Sequence, residues 1–553
     1  MKRNSKHTIL FIFFLITGII IGSYTLSTPK VYNGSDTSRF SAISAARYLN
    51  VIAKKPHSIL DKQSHEEVYQ YLYDELEKMD LNPQTYEYIV TKKSESFPGY
   101  NIKNIFAKLD GKSEDAILLV AHYDSAYGWD YSNKTPLKGV SYGAADDGYG
   151  IATILETVRA IKELETPLEN DVLILFTDSE EADLDGATNA LEKNPELFEH
   201  VNLVINIEAR GIKGPAIMFE TGDKNSSIIE YFNKNAKSPF SSSLATDIYR
   251  IMPNGSDFSV FLKNGFNGMN FAVVDNLDYY HTEKDSYENI DLESIQHYGE
   301  QIFSLVKSFS LTPNKNLPNF EANSNEVFFN ILRGIMVNYS EHFAVFLLIA
   351  VIVSIIVLIT IVYKNHRFKV WKIMFFTVEL LVIAFACSLF ATSVPYLLAK
   401  AYGLKFNIIY LPHIPNANII FIAIIAIAAF VFAFVCKKIV LEGDNKTELL
   451  LAGISLNLIF AALTTVLLSG ASYLFIIPLI IATIIAFIKY FGSNAIVKYI
   501  VLAIMVITVC VLYIPILYLL NCGLTIGAVG ISVGLCLIVE SLIIPTFLYL
   551  TDY

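Results

Sequence analysis

From residue 343 to the end, the sequence is a succession of apolar runs, each long enough to cross a ~30 Å hydrocarbon layer, which takes ~20 helical residues. They fall near 343–363, 373–395, 418–436, 449–469, 472–488, 499–519 and 524–550. Within lipid a backbone must satisfy its own N–H and C=O groups, so such runs fold as helices and little else. The last run contains Pro545 and reads either as one kinked helix or as a span plus a re-entrant piece. An eighth apolar run, 9–21, follows the basic start MKRNSKH without a good small-x-small cleavage site, the pattern of a retained signal anchor over residues 1–30. Eight spans in all is the expected count, give or take one.

Charge divides the chain at the same place. Residues 343–553 carry 11 Lys/Arg and 6 Asp/Glu, leaving 31 and 47 before them, so an acidic part precedes a mildly basic one. Lys364, Arg367, Lys369 and Lys372 follow the first of the later spans, Lys437, Lys438 and Lys446 follow the third, and Lys489 and Lys498 separate the fifth from the sixth. If basic loops stay in the cytoplasm, so do Lys2, Arg3 and Lys6, and the stretch from about 28 to 342 is extracytoplasmic. All five cysteines, Cys387, Cys436, Cys510, Cys522 and Cys536, lie in or beside the later spans. The exported part therefore relies on a large core rather than on disulfides, which ~300 residues can supply.

Within that part, apolar runs AILLVA (116–121), VLILFT (172–177), LVINIE (203–208), AIMFET (216–221) and MNFAVV (269–274) read as buried strands. Between them, 147–164 puts Ile151, Leu155, Val158 and Ile161 on one helical face. Alternation of this kind predicts an α/β fold: a mostly parallel mixed sheet sandwiched by helices, followed by an all-α multi-span membrane domain. The expected boundaries are 1–30 for the anchor, 31–310 for the soluble domain, 311–342 for a linker and juxtamembrane segment, and 343–553 for a membrane domain of about seven helices. The apolar stretch Phe328, Phe329, Ile331, Leu332, Ile335 and Met336 reads as an interfacial helix.

In open α/β sheets, ligands bind at the carboxyl ends of strands, and five stretches with metal-binding chemistry fall there or in adjoining loops. They are AHYD (121–124), GAADDGYG (143–150), TDSEEA (177–182), NIEARG (206–211) and YYHTEKD (279–285). Borderline metals such as zinc take imidazole nitrogen and carboxylate oxygen, and a hydrolytic pair of ions needs a carboxylate that bridges both. Asp146 offers that bridge, although alone its Gly-rich setting equally suits a plain helix start. Asp124 stands where it could orient His122, directly or through a network. Of Glu180 and Glu181, one can bind metal while the other takes a proton; alone they read as solvated loop charges. Glu208 ends a buried strand, where an unpaired carboxylate is costly. His281 supplies a second imidazole.

The order and context of these stretches resemble metallopeptidase family twenty-eight, the di-zinc aminopeptidase and glutamate carboxypeptidase group, with its zinc-peptidase, aminopeptidase-like fold. More narrowly they resemble its membrane-tethered branch, typified by the fungal vacuolar membrane protease and the animal endoplasmic reticulum metallopeptidase. The resemblance covers about 40–310 and extends by architecture to the end. It implies a cofactor of two Zn2+ ions, with His122 and Glu208 on one, Glu181 and His281 on the other, and Asp146 between them. It further implies Glu180 as general base, Asp124 supporting His122, and Tyr280 bonding a developing oxyanion, with Asp257 and Asp285 behind the ligands. Glu208 stands where many soluble relatives have Asp, which keeps a carboxylate ligand.

The function expected is zinc-dependent hydrolysis of a peptide or protein substrate, as an aminopeptidase-type exopeptidase held in a lipid bilayer. Three alternatives remain open: a glutaminyl-cyclase-like relative using one zinc, a non-catalytic receptor or scaffold, and a transporter in which Glu379 and Glu540 act within the spans. No basic tract interleaved with aromatics points to nucleic acid.

Overall fold

The computed structural model describes residues 2–91, 99–130, 135–252, 254–365, 368–409, 411, 414–443, 445–492 and 494–551; Arg367 lies outside them. The chain divides into two units, 27–326 with 333–338, and 1–26 with 327–332 and 339–553.

Helix α1 spans Lys2–Tyr24. After it come α2 (Ala42–Ile52), α3 (Lys62–Lys78), β1 (Gln84–Val90), β2 (Tyr100–Leu109), β3 (Ser113–His122), and the short pair β4 (Gly128–Asp130) and β5 (Thr135–Leu137). Then follow α4 (Gly148–Lys162), β6 (Asn170–Thr177), α5 (Asp185–Lys193), β7 (Val201–Ala209), β8 (Ile217–Thr221), α6 (Ser226–Asn235), α7 (Ser243–Ile251), α8 (Asp257–Lys263), β9 (Gly268–Val273) and α9 (Leu292–Leu311).

The main sheet runs β1-β2-β6-β3-β7-β9-β8. Its four central strands β6, β3, β7 and β9 are parallel, and β1, β2 and β8 join antiparallel. The sequence dictates this placement: β6 is buried along its whole length, as a strand covered on both faces must be. Period-two alternation sends Leu118, Val120, Leu173, Leu175 and Val204 to one face, where they meet Ala187 and Ala190 of α5 and Phe258 and Phe261 of α8. Helix α4 packs on β3 and β7 and against α2 and α9. Asp147 starts α4, its side chain accepting the N–H of Gly150 at 3.0 Å. The register pairs His122 with Thr177 and Val120 with Asn206, so β3, β6 and β7 end level.

After α9 come the two strands β10 (Glu326–Leu332) and β11 (Ile335–Ser340). The expected interfacial helix over 328–336 is thus two strands, turned between them at Gly334, whose φ of +69° a side chain would resist. Seven helices follow: α10 (Glu341–Asn365), α11 (Val370–Ala401), α12 (Ala417–Leu441), α13 (Lys446–Leu467), α14 (Tyr473–Phe491), α15 (Ala495–Leu524) and α16 (Val529–Thr551). Among the described residues, 8 helices, α1 included, are long and apolar enough to cross a membrane. Pro545 lies inside the continuous α16, which decides between the two readings of that run. Gly530 and Gly534 of α16 lie against Ser388 and Thr392 of α11, small residues allowing close helix approach.

Candidate metal centre

His122 is the last residue of β3 and fully buried. Its Nδ1 lies 2.9 Å from the main-chain oxygen of Asp124, which can only accept, so Nδ1 carries the proton and Nε2 presents a lone pair. That Nε2 has no hydrogen-bond partner, and it stands 3.4 Å from Asp146 Oδ1 and 3.7 Å from Glu208 Oε2. Asp124 steadies the ring chiefly through its carbonyl. Its carboxylate instead accepts the main-chain N–H groups of Glu180 at 3.0 Å and Glu181 at 3.3 Å, tying the loop after β6 to the end of β3.

Asp146 sits in the turn before α4, and its second oxygen, Oδ2, is 3.2 Å from His281 Nε2. One carboxylate therefore faces two imidazoles, one through each oxygen. Burial would raise its pKa, but the two rings outweigh burial and hold it well below the usual carboxylate range. The Asp285 carboxylate fixes this turn by accepting the N–H groups of Ala145 at 2.7 Å and Asp146 at 3.2 Å.

His281, at φ +54°, brings Nε2 to 3.0 Å from Glu181 Oε1. Burial lowers the His281 pKa, yet Glu181 and Asp146 together push it up to about 10. Burial raises Glu181 to about 7 and Glu208 to about 8, each partly offset by an imidazole. Glu180 is also raised well above the usual carboxylate value, by burial and then by Glu208. The ring of Tyr280 stacks on His281 with centroids 3.7 Å apart. Burial and the surrounding carboxylates raise its phenol.

These residues form three overlapping groups whose ligand atoms lie within 4.8 Å of one another: His122, Asp146 and Glu208; Asp146, Glu181 and His281; and His122, Glu180 and Glu181. Gathering so many acids in a buried pocket is unfavourable unless cations compensate. The unsatisfied atoms say the same: His122 Nε2, Asp146 Oδ2, Glu181 Oε1 and His281 Nε2 are buried without a hydrogen bond. Imidazole nitrogens and carboxylate oxygens in this set fit zinc.

Of the two supporting acids, Asp285 lies directly behind Asp146, whereas Asp257 begins α8 and bonds the hydroxyl of Thr177. Three buried polar residues escaped the sequence reading. Asp147 caps α4 and keeps Oδ2 unpartnered. Asn206 touches Glu208, and Asn270 touches Asn206, each across 3.0 Å. For the two asparagines the signal in the sequence is polarity in the middle of apolar strand runs; for Asp147 it is an acid at the helix start in the Gly-rich stretch 143–150.

Residues 104–306 match the model of Peptidase family M28. Over 247 residues the chain is 28% identical to endoplasmic reticulum metallopeptidase 1 of Mus musculus, covering 44% of this chain and 26% of that protein. It is 30% identical to the vacuolar membrane protease of Candida dubliniensis over 260 residues, 45% of this chain and 26% of that protein. The matched part thus spans about a quarter of each relative's length. Among solved structures, a Zn-dependent exopeptidase from Parabacteroides distasonis aligns at TM-score 0.39 and 22% identity, covering 49% of this chain and 98% of that one. Porphyromonas gingivalis glutaminyl cyclase aligns at TM-score 0.39 and 19% identity, again over 49% and 98%.

Proposed function

We propose that this chain, whose residues 104–306 form a Peptidase family M28 domain, is a membrane-anchored di-zinc metallopeptidase of aminopeptidase type. The observation that carries the reading is the placing of Asp146: its two oxygens face His122 and His281, whose Nε2 atoms are buried without a hydrogen bond. His122, Asp146 and Glu208 would hold one ion, and Asp146, Glu181 and His281 the other. A second seat complete with its own imidazole favours two ions over the single zinc of a cyclase.

Zinc bound in these seats supplies a Lewis acid that polarises the scissile carbonyl and acidifies water. Glu180 is the proton carrier. Its carboxylate is not needed as a third oxygen in either seat, and burial with the neighbouring Glu208 raises its proton affinity, as suits a group that must take up a proton. It accepts a proton from the attacking water and returns it to the leaving amine nitrogen. Asp124, holding the N–H groups of Glu180 and Glu181, keeps base and ligand in fixed register. Tyr280, stacked on His281, donates a hydrogen bond to the oxygen that gains charge.

Eight apolar helices support residence in a membrane. Basic residues in the loops α10–α11, α12–α13 and α14–α15, on alternate connections, support an extracytoplasmic peptidase domain.

The test uses the full chain in detergent: zinc content by elemental analysis, and digestion of a peptide library with and without chelator. Two zinc ions per chain, and cleavage abolished by chelator, are expected. Glu180→Gln should lose turnover by about 10²- to 10⁴-fold while keeping its zinc; an active variant would rule out Glu180 as the base.

A further inference from the structure

Behind Glu208 runs a line of buried polar side chains perpendicular to the strands. Asn206 precedes Glu208 by two residues on β7, so both point to the same face of the sheet. Asn206 Nδ2 donates to Glu208 Oε1 at 3.0 Å and to Asn270 Oδ1 at 3.0 Å. Asn270, its register partner on β9, donates from Nδ2 to Glu220 Oε2 and to Ser256 Oγ, each at 2.9 Å. Glu220 lies opposite Asn270 on the edge strand β8. Asn206 and Asn270 are 0% exposed, Ser256 3% and Glu220 6%.

The direction of every bond in this line follows from its far end. The Glu220 carboxylate accepts, so Asn270 must turn its NH2 towards β8 and its Oδ1 towards β7. An oxygen waiting there, and a carboxylate on the other side, force Asn206 to present its NH2 to both. Asn206 Oδ1 is left buried without a partner. That unsatisfied atom is the cost of the orientation, since the reversed amide would set oxygen against two oxygens. With Oε1 thus engaged, Glu208 is left with Oε2 for His122, 3.7 Å away.

We propose that Asn206 is a positioning residue for the metal ligand Glu208, and that Asn270, anchored by Glu220, sets the direction in which Asn206 donates. The inference rests on the di-zinc reading above. It adds that one seat, formed by His122, Asp146 and Glu208, is tuned from a strand edge, whereas the seat of Glu181 and His281 is not. Partners of this kind typically govern 10- to 100-fold in metal affinity.

The experiment measures zinc affinity of the full chain in detergent by competition with a chromophoric chelator, in two backgrounds. His281→Ala leaves the seat of His122, and His122→Ala leaves the seat of His281. Asn206→Leu, close in shape but without a donor, should weaken zinc binding about 10- to 100-fold in the His281→Ala background and leave the His122→Ala background unchanged. Asn270→Leu should follow the same split with a smaller effect. Equal losses in both backgrounds, or none in either, would overturn the proposal, because a merely structural asparagine would not discriminate between seats. If Asn206→Leu does not fold, Asn206→Ser must show the same split. Wild-type protein that takes up no zinc would defeat the di-zinc reading itself; wild-type protein with two zincs and no split would defeat only this inference.

Discussion

The carboxylate of Asp124 accepts the main-chain N–H of Glu180 at 3.0 Å. A residue just past the end of β3 therefore sets where the loop after β6 puts Glu180 and Glu181, the proposed proton carrier and the proposed metal ligand beside it. Asp124→Ala should lower kcat/KM by about 10- to 100-fold, the usual scale for a partner behind a metal site. Glu181 shares the tether, so zinc analysis should show weakened binding too. Steady-state kinetics on the best library peptide check the first, and chelator competition the second. Wild-type values for both would mean the loop is held by other contacts.

Asp285 does for the bridging turn what Asp124 does for the loop. Its two oxygens take the N–H groups of Ala145 and Asp146, and burial raises its own pKa to about 7. Asp285→Ala leaves both N–H groups buried and unpartnered, at about 1–3 kcal/mol each. The expected outcome is loss of both zinc ions together, since Asp146 belongs to both seats. Retention of one ion at normal affinity would contradict the bridge.

If the di-zinc reading holds, zinc removal should destabilise the domain that carries the site, because Glu181 and Glu208 are buried carboxylates whose proton affinity burial raises. Free zinc at a thousandfold its dissociation constant stabilises by about 4 kcal/mol per site. A clear fall in melting temperature on adding chelator, reversed by zinc and not by magnesium, is expected by scanning calorimetry or near-ultraviolet circular dichroism.

His297 gives the domain an acid-sensitive point outside the candidate ligand set. Its Nδ1 accepts the N–H of Ala216 at 3.1 Å and its Nε2 donates to the oxygen of Ser238 at 2.8 Å, so the neutral ring is fully satisfied. Burial lowers its pKa to about 4 from an ordinary 6.5. Between those values the unfolded chain binds the extra proton, so stability falls as pH drops from 6.5 towards 4, by about 3 kcal/mol for this group. Denaturant unfolding at pH 7 and pH 5 should show the loss, and His297→Gln should flatten it.

Much of this was legible in the sequence because of where each residue sits. The central strands β3, β6 and β7 read as unbroken apolar runs since both faces are covered, and their acids and histidines stand at run ends. The edge strand β1 and its neighbour β2 escaped notice because exposed or half-buried positions interrupt them: in QTYEYIV only Tyr88 and Val90 are buried. The stretch 328–336 misled because short apolar runs carry no decisive period. The ligand types were visible, and Asp124, Asp257 and Asp285 behind them came with the family resemblance, but the asparagines Asn206 and Asn270 did not. Asn206 looks like an interruption of LVINIE until Asn270, 64 residues away, arrives beside it.

The turn that carries Asp146 is completed by Asp285, so the proposed bridging carboxylate is not held in place until the chain has been made past residue 285. A polypeptide emerging from the ribosome thus carries His122, Glu180 and Glu208 as an inert set. On the reading proposed above, two-metal hydrolysis would be available only once the domain is whole.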